Sequence, residues 1–452
     1  MDTAVVLFTR DLRVHDHPAF AAACDEAERV VPLFVFDDAI WSSGYPNPNR
    51  ARFLVQCVDD LNSRLRDRGG QLFRRRGELV AQVRDVVNQT GAEAVFLSED
   101  VSGYAKARVE RLRDGLEGVE VRTFPGITVV APAELATSTG GPYKVFTPYW
   151  RAWKDRTLRP VLDAPGHVRV PTTIPVGQTP QPEELVVGEP SPELPRGGET
   201  AGLERLDSWL DGDIDGYHEG HDDLPGDVTS RLSPYLHFGC LSPRAIVERC
   251  DRGSPGAGAF VRQVCWRDYH HQVLAAYPEV AWEDYRTQGD RWRGDEVDLK
   301  AWKEGRTGYP IVDAGMRQLA REGWMHNRAP LTVALFWTRD LYLDWRAGAR
   351  HFLDLLVDGD LANNQMNWQW VVGTGTISRR NRTFNPLRQA ERFDPDGEYV
   401  RRYVPELAGI AGAAIHKPWE LDDDVRAGLD YPDPIVDHAE ALERFRQARG
   451  LN

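Results

Sequence analysis

Five short runs of apolar or β-branched residues, separated by stretches of helix length, fill the first ~130 residues and constrain the fold more than any other feature. They are Val5–Phe8, Val30–Phe36, Gln71–Arg74, Ala94–Ser98 and Val119–Thr123, each bounded by polar or glycine-containing turns, as strands are. The intervening segments, Arg50–Arg68 and Leu79–Thr90 among them, are long enough for crossover helices. Strands alternating with such crossovers predict a doubly wound parallel sheet, an α/β domain over residues 1–130. The turn after the first run reads Thr9-Arg10-Asp11-Leu12-Arg13, so the G-x-G-x-x-G of an ordinary dinucleotide site is missing.

Pro160–Pro195 holds nine prolines and almost no periodicity, which predicts an extended connector within a linker over 131–200. Beyond Glu199 the apolar residues recur with helical spacing, in Glu204–Leu210, Pro243–Cys250, Ala259–Ala276, Ile311–Glu322, Pro330–Leu343 and Arg346–Val357. An all-helical domain is expected over 201–452. No apolar run approaches the ~20 residues of a membrane helix, and Met1-Asp2-Thr3 offers no basic start to a signal peptide. Cys24, Cys57, Cys240, Cys250 and Cys265 are odd in number and lack C-x-x-C spacing, against a disulfide framework or zinc. These features predict a cytosolic protein.

The net charge of −14 argues against nucleic acid only until its distribution is read. Gly226–Arg402 carries 25 Lys+Arg against 23 Asp+Glu, net +2, so the remainder carries −16 and a local anion-binding face is permitted. Three clusters in this half carry chemistry. Thr229-Ser230-Arg231-Leu232-Ser233 precedes a helix and offers hydroxyls and N–H groups to phosphate, or is simply a capped helix start. Asp358-Gly359-Asp360 lacks a third ligand at metal spacing, so no metal is expected. Trp368-Gln369-Trp370 sets two indoles beside the glycine-rich Gly373-Thr374-Gly375.

With Trp266-Arg267-Asp268-Tyr269, Gly308–Ala314 and Gly323-Trp324-Met325-His326-Asn327-Arg328, these clusters occur in one fixed order. In that series the chain resembles the DNA photolyase/cryptochrome family over essentially its whole length. It is most similar to class I enzymes of actinobacterial type that split cyclobutane pyrimidine dimers. The resemblance implies one noncovalent FAD in the helical domain, contacted by Tyr217, Thr229, Ser230, Arg231, Leu232, Ser233, Phe260, Arg267, Asp358, Gly359 and Asp360. Asn364 would face flavin N5, where an amide can donate or accept. Trp368, Trp345 and Trp292 match a photoreduction chain running outward from the flavin. Trp266 and Trp370 match indoles that sandwich an extruded dimer, and Asn327 and Arg328 match residues that contact DNA. His221 and Gln263 match further lesion-side positions but depart from the arginine and glutamate usual there, as Pro330 and Leu331 depart from arginine and methionine. Arg379, Arg380 and Arg382 add local positive charge.

The activity so implied is light-driven reversal of the dimer by an electron from excited reduced FAD, with UV-damaged DNA as partner and a monomer as the working unit. A cryptochrome-like photoreceptor and a (6-4) photoproduct enzyme are the alternatives. Asn364 and the absence of a long tail after Asn452 speak against the first, and Trp324–Arg328 against the second. An antenna in the α/β domain is expected near Phe34, Phe36 and Asp100, at strand C-terminal ends where ligands gather. The resemblance favours 8-hydroxy-5-deazaflavin over 5,10-methenyltetrahydrofolate.

Overall fold

The computed structural model describes residues 1–250, 253–376 and 384–451. The five runs form one parallel sheet: β1 (Thr3–Phe8), β2 (Arg29–Asp37), β3 (Phe73–Gly77), β4 (Ala94–Ser98) and β5 (Glu120–Phe124), in the order β3-β2-β1-β4-β5. Every residue of the central strand β1 is buried, which is why it reads as a continuous apolar run and not as an alternation. Side chains on the two faces enter different cores. Val5 and Leu7 pack with Val31, Leu33 and Val83, the last on the helix Leu79–Thr90. Ala4, Val6 and Phe8 join a core that continues into the helical domain through Phe238, Phe260 and Tyr269.

The third strand lies further along than the expected Gln71–Arg74 and has the sequence Phe-Arg-Arg-Arg-Gly. It is an edge strand, so arginines can occupy positions that a strand covered on both faces would refuse. The proline-rich connector covers that edge, because Arg74 donates its N–H to the Val176 carbonyl at 2.7 Å. Gly177, at φ +77°, passes so close that a Cβ there would lie 2.0 Å from the Arg74 oxygen. No helix or strand occurs between 157 and 181. Earlier in the same linker segment, Phe146–Lys154 is a helix burying Phe146, Tyr149 and Trp153.

The helical half contains Glu199–Asp211, Pro243–Arg249, Pro255–Ala276, Pro310–Glu322, Arg328–Leu335, Trp345–Leu355 and Leu361–Val372. Pro255–Ala276 starts before the expected Ala259: Ser254 accepts from the Ala257 N–H, and Pro255 occupies the first turn. Gly256 and Gly258 hid this start by diluting the apolar pattern. The expected helix Pro330–Leu343 is instead Arg328–Leu335 followed by a π-helical turn, Phe336–Asp340. None of the described helices is long and apolar enough to cross a membrane.

Buried, directional bonds join the two halves. Arg13, fully buried, donates to the carbonyls of Gly239 and Gly126, each at 2.9 Å. Glu199 accepts from the Val14 N–H at 2.9 Å and pairs with Arg64 at 2.6 Å. Asp268 accepts from the N–H groups of Val129 and Val130 and from Trp153 Nε1, at 2.9, 3.1 and 2.9 Å. Gly239, at φ +67°, leaves no room for a side chain, since a Cβ would meet the Arg10 carbonyl at 2.0 Å.

Candidate functional site

A cavity of about 560 Å³ opens in the helical half, walled by residues from 217 to 371. It gathers Tyr217, His221, Thr229, Ser230, Arg231, Leu232, Ser233, Phe260, Gln263, Trp266 and Arg267 from the first part of that stretch. From the second part it takes Asn327, Arg328, Pro330, Leu331, Asp358, Asp360, Asn364, Trp368 and Trp370. Gly359 lies behind the wall, its backbone pressed against Arg50, and its carbonyl accepts from Tyr45 Oη at 2.7 Å.

The loop 229–233 is held from outside by Arg205, whose Nη2 and Nε donate to the Thr229 and Ser230 carbonyls at 2.7 and 2.8 Å. In a trans peptide the N–H points opposite to the C=O, so the amides of Ser230 and Arg231 face away from Arg205. Arg231 sits at φ +51°, a costly conformation for a side-chain-bearing residue. Its guanidinium is already engaged by Glu322 at 2.8 Å and by Asp227, and it lies 4.2 Å above the Trp324 ring. The hydroxyls and amides of this loop, more than the Arg231 charge, are therefore what it offers an anion. Sequence reasoning missed Arg205, which lies outside every motif.

Asp358 and Asp360 stand two residues apart, with their pKa values displaced in opposite directions. Burial alone would raise Asp360, but His271 and Arg10 hold it well below the ordinary carboxylate range. Its Oδ2 lies 2.7 Å from Arg10 Nη2 and 3.5 Å from His271 Nε2, and its Oδ1 caps Asn363 N–H at 2.9 Å. Burial pushes Asp358 up to about 6, against a hydrogen bond from Ser233, and its Oδ1 is left without a partner. Near neutral pH, one carboxyl is a fixed anion and the other can hold a proton and donate it in a hydrogen bond. Burial lowers His237 and His270 to about 4, so both are neutral there.

On the inner wall of the cavity, Arg267 is buried and donates to the Ile127 carbonyl at 2.5 Å. Phe260 packs 4.2 Å from Trp209 and edge-on to Tyr217 at 5.7 Å. Asn364 donates from Nδ2 to the Ala349 carbonyl at 3.1 Å and to Gln365 Oε1 at 3.0 Å. With both amide hydrogens so used, the atom Asn364 has left for the cavity is its acceptor oxygen. Trp368 is 2% exposed, Trp345 is fully buried with Nε1 on Asp284 at 2.8 Å, and Trp292 is partly exposed beside Tyr342. All three belong to or pack on one hydrophobic cluster, which also holds Trp302, 6.3 Å from Trp368 and outside every sequence motif.

Elsewhere on the rim, one face of Trp266 is already covered: Phe146 stacks on it at 3.6 Å and 7°. This leaves a single indole face for a base and makes Phe146, from the linker segment, a residue the motifs did not reveal. Gln263 and Asn327 are exposed, and Trp370 is half-buried. Arg328 is clamped by Asp222, with Nε to Oδ1 at 2.5 Å and Nη2 to Oδ2, and lies over the Phe393 ring at 4.8 Å. Arg379, Arg380 and Arg382 lie outside the described residues.

Of the three antenna candidates, Asp100 lines a second cavity of about 400 Å³ at the ends of β4 and β5. Phe34 and Phe36 do not line it; they pack edge-to-face on each other at 4.9 Å, 6% and 1% exposed. Among the described residues, no group of three or more His, Cys, Asp or Glu is placed to hold a metal ion.

The donor set fits FAD: amides and hydroxyls for phosphates, an unpartnered carboxyl oxygen for a sugar-like hydroxyl, aromatic walls, and an amide oxygen. Comparisons with known proteins agree. Residues 4–167 match the family model described as DNA photolyase, and residues 260–450 match the FAD binding domain of DNA photolyase. A deoxyribodipyrimidine photo-lyase of Streptomyces griseus is 54% identical over 100% of both chains. A cryptochrome DASH of Natronomonas pharaonis is 36% identical over 97% of this chain and 98% of the relative. The crystal structure of a class III photolyase from Agrobacterium tumefaciens superposes with a TM-score of 0.93 at 36% identity, covering 100% of this chain and 98% of that one.

Proposed function

Because this chain belongs to the DNA photolyase family, we propose that it is a deoxyribodipyrimidine photo-lyase, a carbon–carbon lyase that reverses cyclobutane pyrimidine dimers in DNA under blue light. One observation carries the reading: a single cavity is walled by both the flavin-side set and the lesion-side set. FAD bound there in its reduced form supplies, on excitation, the electron that opens the cyclobutane ring. The chain's own residues prepare this. Arg205 fixes the loop 229–233 for the phosphates, and Asp358 presents a protonatable carboxyl to a hydroxyl or ring nitrogen. Asn364 offers its oxygen to an N–H donor, the form reduced flavin presents at N5. Phe146 stiffens Trp266 so that a flipped base stacks on a prepared surface, while Gln263 offers amide hydrogen bonds.

We assign the enzyme to class I, supported by the motif series and by 54% identity to the Streptomyces griseus relative; class III, the class of the Agrobacterium tumefaciens neighbour, is the competing assignment. The antenna we favour is 8-hydroxy-5-deazaflavin, between the C-terminal ends of β1, β2 and β4. In that region the buried guanidinium of Arg108, which faces Asp11, Asp37 and Asp100, has no hydrogen-bond partner at Nε or Nη2. The cryptochrome reading rests on the similarity to cryptochrome DASH. Chemically reduced, FAD-loaded protein illuminated with an oligonucleotide carrying one cyclobutane dimer should restore the two pyrimidines, read as recovered absorbance near the nucleobase band. No repair, with equal affinity for damaged and undamaged DNA, would point to a photoreceptor instead. Repair of a (6-4) oligonucleotide alone would make that lesion the substrate.

A further inference from the structure

The arginine that the motif series matches to DNA contact is not free. Asp222 grips Arg328 through the fork formed by Nε and Nη2, the pair of donors that would otherwise clasp a phosphate. The pair lies at the rim, with about a quarter of each side chain exposed (26% and 22%), so solvent and a ligand can reach it. Phe393 confines the guanidinium from one side, and His221 turns Nε2 toward the same carboxylate at 3.3 Å while its Nδ1 meets the Tyr217 carbonyl at 2.9 Å. None of the sequence motifs pointed to Asp222.

Resting on the DNA-repair reading above, we propose that Asp222 is a specificity-determining residue, a charge gate that withholds Arg328 from undamaged DNA. To use the arginine fork, a backbone phosphate must displace the carboxylate and then sit beside it, like charge against like charge. An intact duplex brings nothing to offset this. A duplex with a flipped dimer adds stacking on Trp266 and Trp370, at roughly 1–3 kcal/mol per base, and can open the pair. Arg328 thus contributes to binding only when the lesion is already engaged, and the preference for damage comes from the electrostatics of the rim as well as from the fit of the pocket.

The test is Asp222→Asn in the FAD-loaded protein, with binding of damaged and undamaged duplexes measured across a salt series. The neutral amide should bind undamaged duplex about 5-fold more tightly and damaged duplex less than about 2-fold more tightly. The salt slope for undamaged duplex should steepen by about one, one more phosphate being contacted. Asp222→Glu should return both numbers toward wild type, and in an Arg328→Ala background Asp222→Asn should change neither. An unretained flavin band would expose misfolding, and Asp222→Ser, which also removes the charge, then carries the test through the same ratio. An unaltered ratio in Asp222→Asn, equal weakening of both duplexes, or an effect that survives removal of Arg328 would overturn the gate. A wild-type protein with no preference for the lesion would instead sink the DNA-repair reading itself.

Discussion

Arg10, from the sheet domain, forms the ion pair with Asp360 of the acidic pair, and replacing it with methionine should show what that contact is worth. Its guanidinium lies 2.7 Å from Asp360 and 3.5 Å from Asp100, and both carboxylates are nearly inaccessible to solvent. Methionine keeps much of the volume but leaves two buried anions without their shared cation. Breaking one side of a buried pair costs about 3–5 kcal/mol; because 26% of the Arg10 side chain is exposed, we take about 2–4 kcal/mol at neutral pH. For a chain of 452 residues unfolding as one unit, that is a fall in Tm of roughly 2–4 °C. The pH dependence fixes the cause. Asp360 is depressed in the native state, so its stabilisation is complete above its unfolded pKa near 3.8 and is lost as pH falls through the lower folded value. In the variant, His271, His237 and Arg267 still act on that carboxylate from the helical side, but without Arg10 its pKa rises and there is less to lose. The gap between wild type and variant should therefore be widest near neutrality and narrow as pH drops below about 4. Urea unfolding of both proteins at the two pH values measures it. A cost under about 1 kcal/mol at neutral pH, or one that does not shrink in acid, would refute the reasoning.

Two further outcomes are expected. Trp368→Phe should nearly abolish photoreduction of oxidised flavin while chemically reduced enzyme still repairs, since phenylalanine packs similarly but resists oxidation; transient absorption reads the first, and normal photoreduction would remove Trp368 from the chain. Gly348→Ala would place a Cβ 2.3 Å from Trp368 Cη2, and overpacking of about 1–3 kcal/mol should outweigh the roughly 1 kcal/mol that alanine gains in a helix. Thermal unfolding of the FAD-loaded protein should show a lower Tm, and a higher one would mean that the indole has room to yield.

Much of this was legible in the sequence because it is local. The sheet follows from five strand-length runs, and Leu79–Thr90 keeps its expected bounds because Glu78 caps its start and Gly91 ends it in a left-handed turn. Residues whose role exists only after folding were not legible. Arg205 and Asp222 act on loops and helices far along the chain, and no spacing rule links them to their partners. Phe146 lies in the linker segment, on a short helix whose i, i+3, i+7 apolar pattern (Phe146, Tyr149, Trp153) the motifs do not include, yet it decides which face of Trp266 is open. Arg231 sits within the cluster that the sequence offers to phosphate, whereas Glu322, brought in by another helix, takes much of its charge.

The bonds between Arg13, Glu199 and Asp268 and the opposite half have an optical consequence. Transfer of excitation between two pigments depends on the angle between their transition dipoles as well as on distance. A pigment seated in the sheet and another in the helical cavity would each inherit the orientation of the backbone around it. With the two halves joined at buried carbonyls, and with Gly239 packed against the Arg10 backbone, that angle is set by the fold itself. The interface would then act as an optical mount.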